Sequence, residues 1–388
     1  MLRQLIPFSI IFLLSCATFA QGRRNVNNNY YVQKKIGIGY YSGYLISQHQ
    51  ELDSLKKGFV NAFEVDLCLG TNGTKYWHGY YKYPSFGFTF MYTDFDYLTV
   101  LGNSLSISSY VKFPLVSGKV FSINLKTGAG LALLNKRYDS LQNPKNIAIS
   151  THLNGLINVG LITGIKLGDR SSFDIGVNAL HFSNGSIKKP NYGLNLMTVS
   201  STLYIYLNTF QKIPPYLKFQ KKEKQRWFIT LSGAVKETGD PGGSLYGVGS
   251  ISLEYNRPWK RLLRYGGVFD VMYDDATFYH LDEDSVSYSA KYSATKVGAG
   301  IQFEMALDRL SAFAACGVYL YNIDKQVGPL YQRVGLRYRL SSLIYTQLAL
   351  KTHLNHADYL EFGVAFNFNA NIKHKKTYKD YKHNTITN

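Results

Sequence analysis

Cysteine is nearly absent from this chain, with three in 388 residues, and one of them, Cys16, falls in the leader described below. The other two, Cys68 and Cys316, lie far apart and make no disulfide scaffold; small buried or lipid-facing residues is the plain reading. Proline is scarce, and acidic residues are outnumbered 25 to 43, for a net charge of +18. A basic balance of that size suits nucleic acid, but no nucleic-acid-binding motif accompanies it. The lysines gather in turns, in one linker and in the tail, so nucleic acid is excluded as a partner. Beyond the first twenty residues no apolar run is long enough for a membrane helix, and helical periodicity is missing throughout.

The opening residues, MLRQLIPFSIIFLLSCATFAQG, carry a basic start at Arg3, a short apolar run and the small-residue site Thr18-Phe19-Ala20. That is the pattern of a secretory leader over 1–20, cleaved after Ala20. Acylation at Cys16, behind Leu13-Leu14-Ser15, is the alternative, and export is expected either way. The exported part is rich in aromatics, with 32 tyrosines and 23 phenylalanines. Its apolar residues recur at every second position, which puts them on one face of a strand. A tyrosine-rich alternating chain fits a transmembrane β-barrel, whose strands carry aromatic girdles at both interfaces. A soluble β-sandwich competes, but has less need of tyrosine.

Eight alternating segments are expected over 33–208: Lys35–Tyr44, Gly58–Leu69, Gly79–Asp94, Tyr97–Lys112, Gly118–Leu134, Ile147–Lys166, Ser171–Ser183 and Tyr192–Leu207. Most reach the roughly 9–11 residues of a tilted spanning strand, and about eight strands make the smallest barrel with a filled interior. With both barrel ends in the periplasm, the long polar connections LISQHQELDSLKK and NKRYDSLQNPKN fall outside the cell. The connection from Thr71 to His78 is longer than a periplasmic turn should be. Pro214-Pro215 and a lysine cluster mark 209–225 as a linker. Eight more segments follow over 226–370, from Trp227–Glu237 to Tyr359–Asn369, and then a basic flexible tail over 371–388. The halves echo each other faintly (GLALLNK with GVYLYNIDK, ALHFSN with LKTHLNHA). The expected fold is all-β: a transmembrane antiparallel eight-stranded barrel followed by a second one, with a single sixteen-stranded barrel as the alternative.

The stretch that needs explaining runs from Ser171 to Leu207. Its first arm sets Phe173, Ile175, Val177, Ala179, His181 and Ser183 on one face; its second sets Asn195, Met197, Val199, Ser201 and Leu203 on one face. Paired as a hairpin, the arms bring Asn195 beside His181 and Ser183. The first arm runs outward, so this polar trio ends a greasy, lipid-facing stripe at the extracellular end. A serine next to a histidine suits attack on an ester: the ring takes the hydroxyl proton and later returns one to the leaving alkoxide. Amide N–H groups of Asn184, Gly185 and Asn191 would hold the oxyanion, although Asn184 and Asn191 also suit the left-handed positions of a tight loop. Lys188 and Lys189 would meet phosphates or stay solvated. Asp174, by parity, faces the lumen.

H-F-S-N at 181–184 with P-N-x-G-x at 190–194 resembles the active-site segment of the PagL-type lipid A 3-O-deacylases and their outer-membrane acyloxyacyl hydrolase relatives. NPKNIAISTHLN at 143–154 resembles a stretch upstream of the site in that group. The match is specific over these segments and loose over the rest of the first half. The resemblance implies an eight-stranded barrel in the bacterial outer membrane, with catalytic side chains facing the lipid and lipid A of lipopolysaccharide as substrate. It makes His181 the general base and Ser183 the nucleophile, with no cofactor and no metal. The family's orienting glutamate, fourteen residues after the histidine, is Asn195 here. Asparagine accepts the imidazole N–H but gives an imidazolium no charge, a loss of up to about 10⁴ in rate if it matches that of a triad aspartate. A weak or inactive barrel serving as channel or interaction platform is therefore the alternative, and acyl transfer between lipids a third reading. In the second half His353 superficially matches His181, but Asn355 stands where the serine would. Its face of Leu343, Tyr345, Gln347, Ala349 and Lys351 reads as lumenal, so no second site is expected. EFGVAFNF, ending at Phe368, resembles the aromatic-ended last strand of outer-membrane barrels.

Overall fold

Alternation becomes pairing in the computed structural model, which describes residues 32–47, 50–208, 224–260, 262–288, 292–354 and 356–369. The leader, most of the linker and the basic tail lie outside the described residues. The first eight strands are β1 (Lys34–Ile46), β2 (Val60–Gly70), β3 (Ser85–Asp94), β4 (Asn103–Ser117), β5 (Phe121–Leu134), β6 (Leu153–Lys166), β7 (Ser171–Ser183) and β8 (Leu194–Tyr206). Each pairs antiparallel with the next, and β8 returns to β1 from Lys35↔Tyr206 to Ile46↔Asn195, which closes the sheet without a free edge. A second closed barrel comprises β9 (Arg226–Glu237), β10 (Leu245–Lys260), β11 (Leu263–Asp274), β12 (Thr295–Leu307), β13 (Leu310–Tyr321), β14 (Leu330–Arg339), β15 (Ile344–His353) and β16 (His356–Asn367). There β16 pairs back to β9. The chain thus forms two eight-stranded barrels and not one of sixteen, in two compact units. Among the described residues no helix is long and apolar enough to cross a membrane.

In the first barrel the faces are sorted opposite to those of a soluble domain. Along β2, Glu64, Asp66 and Cys68 are buried in the lumen while Phe63, Val65 and Leu67 stand exposed on the outside. An apolar exterior around a charged interior is what lipid requires of a closed barrel. The lumen is filled by paired side chains: Lys112 Nζ lies 2.6 Å from Asp174 and Lys126 Nζ 3.4 Å from Glu64. Tyr41 donates its hydroxyl to Glu64 at 2.7 Å and Tyr110 to Asp66 at 2.8 Å. Asp174 is thereby engaged inside, as its parity requires.

The end of this barrel where β7 finishes and β8 begins is closed by an apolar plug. Leu52 and Leu55 of a 3₁₀ turn (Gln50–Leu55), Phe95, Leu101, Ala148 and Ile149 pack there on Leu156, Leu180, Phe182 and Leu194 from the strand tops. The plug explains one departure from the sequence reading. β6 begins at Leu153 instead of Ile147 because Ala148 and Ile149, both fully buried, fill the plug and lie outside the ladder with β5 and β7. A second departure explains the long connection after β2: Tyr76–Tyr80 forms a short helix, α1, that buries Trp77 and His78, so β3 starts at Ser85 and not Gly79. A third is β4, which starts only at Asn103. Before it the Tyr97 carbonyl accepts the N–H groups of Val100, Leu101 and Gly102 in a turn. β4 then passes through Pro114 to Ser117, with a bulge between Pro114 and Val116 that accommodates the missing donor.

The second barrel sorts its faces the same way. Ile251, Leu253, Phe269, Ile301 and Phe303 are exposed outside, and Cys316 is exposed too. Its lumen holds Arg337 2.8 Å from Glu254 and 3.8 Å from Glu304, and Arg333 2.7 Å from Glu361 and 3.0 Å from Asp270. Tyr345, Gln347, Ala349 and Lys351 are buried, so that face of β15 is lumenal as expected, but Leu343 is exposed and precedes the strand. His353 contacts the Tyr319 hydroxyl at 2.9 Å. At the end where β11 and β13 finish, His280 of α2 (Ala276–Glu283) lies 2.8 Å from Asp324, and Lys296 bridges Asp274 and Asp324 at 3.1 Å each. Replacing Arg337 by alanine would leave buried Glu254 facing no arginine. We expect Arg337→Ala to destabilise this barrel by about 3–5 kcal/mol, read as a lower temperature at which the folded band is lost on a heat-modifiability gel.

Candidate active site

The site grows out of the tops of β7 and β8. Strand parity sends Leu180 and Phe182 inward, where both are buried, and Phe182 meets Phe95 edge to face with ring centroids 5.6 Å apart. The same parity turns His181 and Ser183 outward, half-buried, in line with exposed Val177 and Ile175 below them. The register sets His181 directly across from Asn195 and Ser183 across from Gly155 of β6. Asn195 is in turn opposite Ile46. Two greasy strands anchored in a plug thus display three polar side chains at their outer ends.

His181 Nδ1 lies 2.6 Å from the Asn195 side-chain oxygen. An amide oxygen only accepts, so Nδ1 carries the proton and Nε2 is left with its lone pair. A ring in that tautomer is a base at Nε2. Asn195 Nδ2, the other end of the amide, is buried with no partner among the described residues; the site uses the oxygen and nothing else of this side chain. No carboxylate hydrogen-bonds the ring among the described residues. The Ser183 hydroxyl makes no hydrogen bond among them either, a looseness common before substrate arrives.

The loop from Asn184 to Gly193 sorts the three oxyanion candidates. Asn184 is buried, and its backbone N–H donates to the Asn191 side-chain oxygen at 3.1 Å. Its side-chain amide donates to Ser150 Oγ at 3.0 Å and to the Lys188 carbonyl at 2.8 Å. All of its donors are engaged, so it holds the loop together. Gly185, at φ +65°, makes no hydrogen bond with its N–H among the described residues, and the Asn191 side-chain NH₂ makes none either. Ser150, which also donates to the Lys188 carbonyl at 2.8 Å, was not singled out by the sequence. Neither was Asn146, buried, which donates to the Val100 carbonyl at 2.9 Å and accepts from the Ile149 N–H at 3.3 Å. Their only signal was membership of the NPKNIAISTHLN segment. Among the described residues no cluster of three or more metal-ligating side chains occurs.

Comparison with known proteins adds two family matches. Residues 62–203 match the model described as lipid A 3-O-deacylase (PagL), and residues 225–370 match the acyloxyacyl hydrolase C-terminal domain. No curated protein matches the chain. Among solved structures the outer membrane enzyme PagL overlaps 43% of this chain and 97% of its own, at 15% identity and a TM-score of 0.27. A mutant of the Rh. blastica porin overlaps 87% and 99%, at 10% identity and a TM-score of 0.20. A bacterial polysaccharide outer membrane secretin overlaps 89% and 100%, at 12% identity and 0.21. Overlaps this loose say nothing about activity.

Proposed function

Because the chain belongs to the lipid A 3-O-deacylase (PagL) family, with an acyloxyacyl hydrolase C-terminal domain as its second part, we propose that it is an outer-membrane esterase that hydrolyses an ester-linked acyl chain of lipid A. Ser183 is the nucleophile, His181 the base and Asn195 the group that orients the ring. The observation that carries this reading is the cross-strand His181–Asn195 hydrogen bond at 2.6 Å, on the outward face and two residues from the serine. Lipid-facing polar groups are costly unless they act on something in the lipid.

The reaction follows from the tautomer. Ser183 Oγ attacks the acyl carbonyl as its proton passes to His181 Nε2. The oxyanion of the tetrahedral intermediate is held by the Gly185 N–H and the Asn191 side-chain amide. Collapse expels the alkoxide of the cut ester, which takes the proton back from His181 and leaves an acyl-serine. Water, deprotonated by the same nitrogen, then attacks the acyl-serine; collapse breaks its bond to Ser183 Oγ, which takes that proton back from His181 as the fatty acid leaves. Lys188 and Lys189, in the same loop, meet the phosphates of lipid A. The chemistry calls for no cofactor.

Both lumens are packed with ion-paired side chains, which argues against the channel reading. The second barrel keeps its own polar cluster around His280 and Asp324, and we assign it the part of a separate domain without a catalytic pair. Mass spectra of lipid A from cells carrying the wild-type chain should show species short by one acyl chain. Ser183→Ala should give the spectrum of cells without the protein while its barrel stays heat-modifiable. Identical spectra with and without the wild-type chain would overturn the esterase reading.

A further inference from the structure

Gly193 sits where a side chain would collide with the base. Its φ is +76°, and a Cβ built there would stand 2.7 Å from His181 Cε1, 3.1 Å from the Phe182 carbonyl oxygen and 3.5 Å from His181 Nδ1. Carbon atoms in ordinary contact are about 3.5–4.0 Å apart, so a methyl group and the present ring cannot coexist. The backbone has no room to retreat. The Gly193 N–H donates to the Ala148 carbonyl at 3.0 Å, and the Tyr192 N–H lies 3.5 Å from the Ile147 carbonyl. Ala148 and Ile149 are fully buried in the plug, and Asn146 fastens their loop to the Val100 carbonyl. A rigid path therefore runs from the plug through Ala148 and Gly193 to the edge of the imidazole.

We infer that Gly193 is a positioning residue: a bare backbone wall against the Cε1 edge of His181 that holds the ring where Nδ1 meets Asn195 and Nε2 is left free to serve Ser183. The claim rests on the assignment of His181 as base. Cε1 lies between the two ring nitrogens, so pressure on it turns both at once. Nδ1 would leave the Asn195 oxygen, and Nε2 would swing away from the hydroxyl whose proton it takes.

Two effects are mixed at this position, and the chain supplies a control for one of them. Gly168, in the turn between β6 and β7, has φ +86° with nothing within 4 Å of a built Cβ, so Gly168→Ala carries the backbone cost alone. Gly193→Asn supplies the converse, because asparagine tolerates positive φ but still brings a Cβ. The experiment compares the wild type with Gly193→Ala, Gly193→Asn and Gly168→Ala as full-length, heat-modifiable protein. Both substitutions at Gly193 should lower kcat by about 10²-fold, the cost of a misplacement near 1 Å, with KM unchanged. Labelling of Ser183 by a fluorophosphonate should slow by the same factor. Gly168→Ala should change neither. Long-range ¹⁵N-histidine spectra should give the Nδ1–H tautomer for His181 in the wild type and Gly168→Ala, and a mixture in the Gly193 variants. A folded Gly193→Asn that keeps both the wild-type tautomer and the labelling rate would overturn the inference. Should the wild type prove to have no deacylase activity, the esterase reading fails, while the tautomer comparison still decides what Gly193 does.

Discussion

Asn195→Glu is expected to raise the rate of lipid A deacylation, by up to about 10⁴-fold. The oxygen of Asn195 already occupies the place from which a carboxylate would accept the Nδ1–H of His181, at 2.6 Å and in direct cross-strand register. What the amide lacks is charge. During attack the ring becomes an imidazolium, and a neutral acceptor orients it without offsetting that positive charge, whereas a carboxylate does both. A factor of 10⁴ corresponds to about 5.5 kcal/mol of transition-state stabilisation, and a half-buried position next to lipid screens such a charge less than open solvent does. The amide's NH₂ end contributes nothing to set against this, since Nδ2 has no partner among the described residues. Single-turnover kinetics on lipid A in detergent micelles provide the measurement: kcat should rise with KM nearly constant. An unchanged kcat in a folded Asn195→Glu protein would mean that proton transfer to His181 does not limit the reaction.

His181→Ala gives the second large effect, and its size should depend on what stands at position 195. In the native background, loss of the base should lower kcat by about 10²–10⁴-fold, the usual worth of positioned acid–base catalysis. In the Asn195→Glu background the loss should be greater by the factor that the glutamate had added, because a carboxylate without its ring has nothing to stabilise. The two substitutions then fail to add, as residues acting as a unit do. Four proteins measured with one assay close the cycle. Simple additivity would show that Asn195 and His181 act separately, against the hydrogen bond that joins them.

The period-two alternation of Ser171–Leu207 was enough to assign the hairpin, because a strand sends successive side chains to opposite faces and only one phase turns Phe173, Ile175 and Val177 together to the lipid. That phase alone turned His181, Ser183 and Asn195 to one side and Asp174 to the other. Composition and alternation also carried the all-β barrel class, since apolar residues at every second position in a tyrosine-rich chain suit strands set between lipid and lumen. Periodicity misread the run at Ile147–Ser150, whose apolar residues look like the start of a strand and instead fill the plug. The short helix at Trp77 showed at that level only as a connection too long for a turn. Both errors have one source: local pattern records that a side chain is apolar and not what it is buried against.

The sequence by itself therefore determined which residues face lipid and which face the lumen, since parity is a property of the strand alone. Tertiary structure decided the rest. β8 pairs with β1 and leaves β9 to a barrel of its own, a choice among backbone hydrogen bonds that no single strand encodes. Ser150 takes up the amide of Asn184 across 34 residues of chain, and the loop beginning at Asn146 sets Gly193 against the imidazole. These are contacts between segments remote in sequence, and they exist only once the closed sheet has fixed the distance between its strand tops.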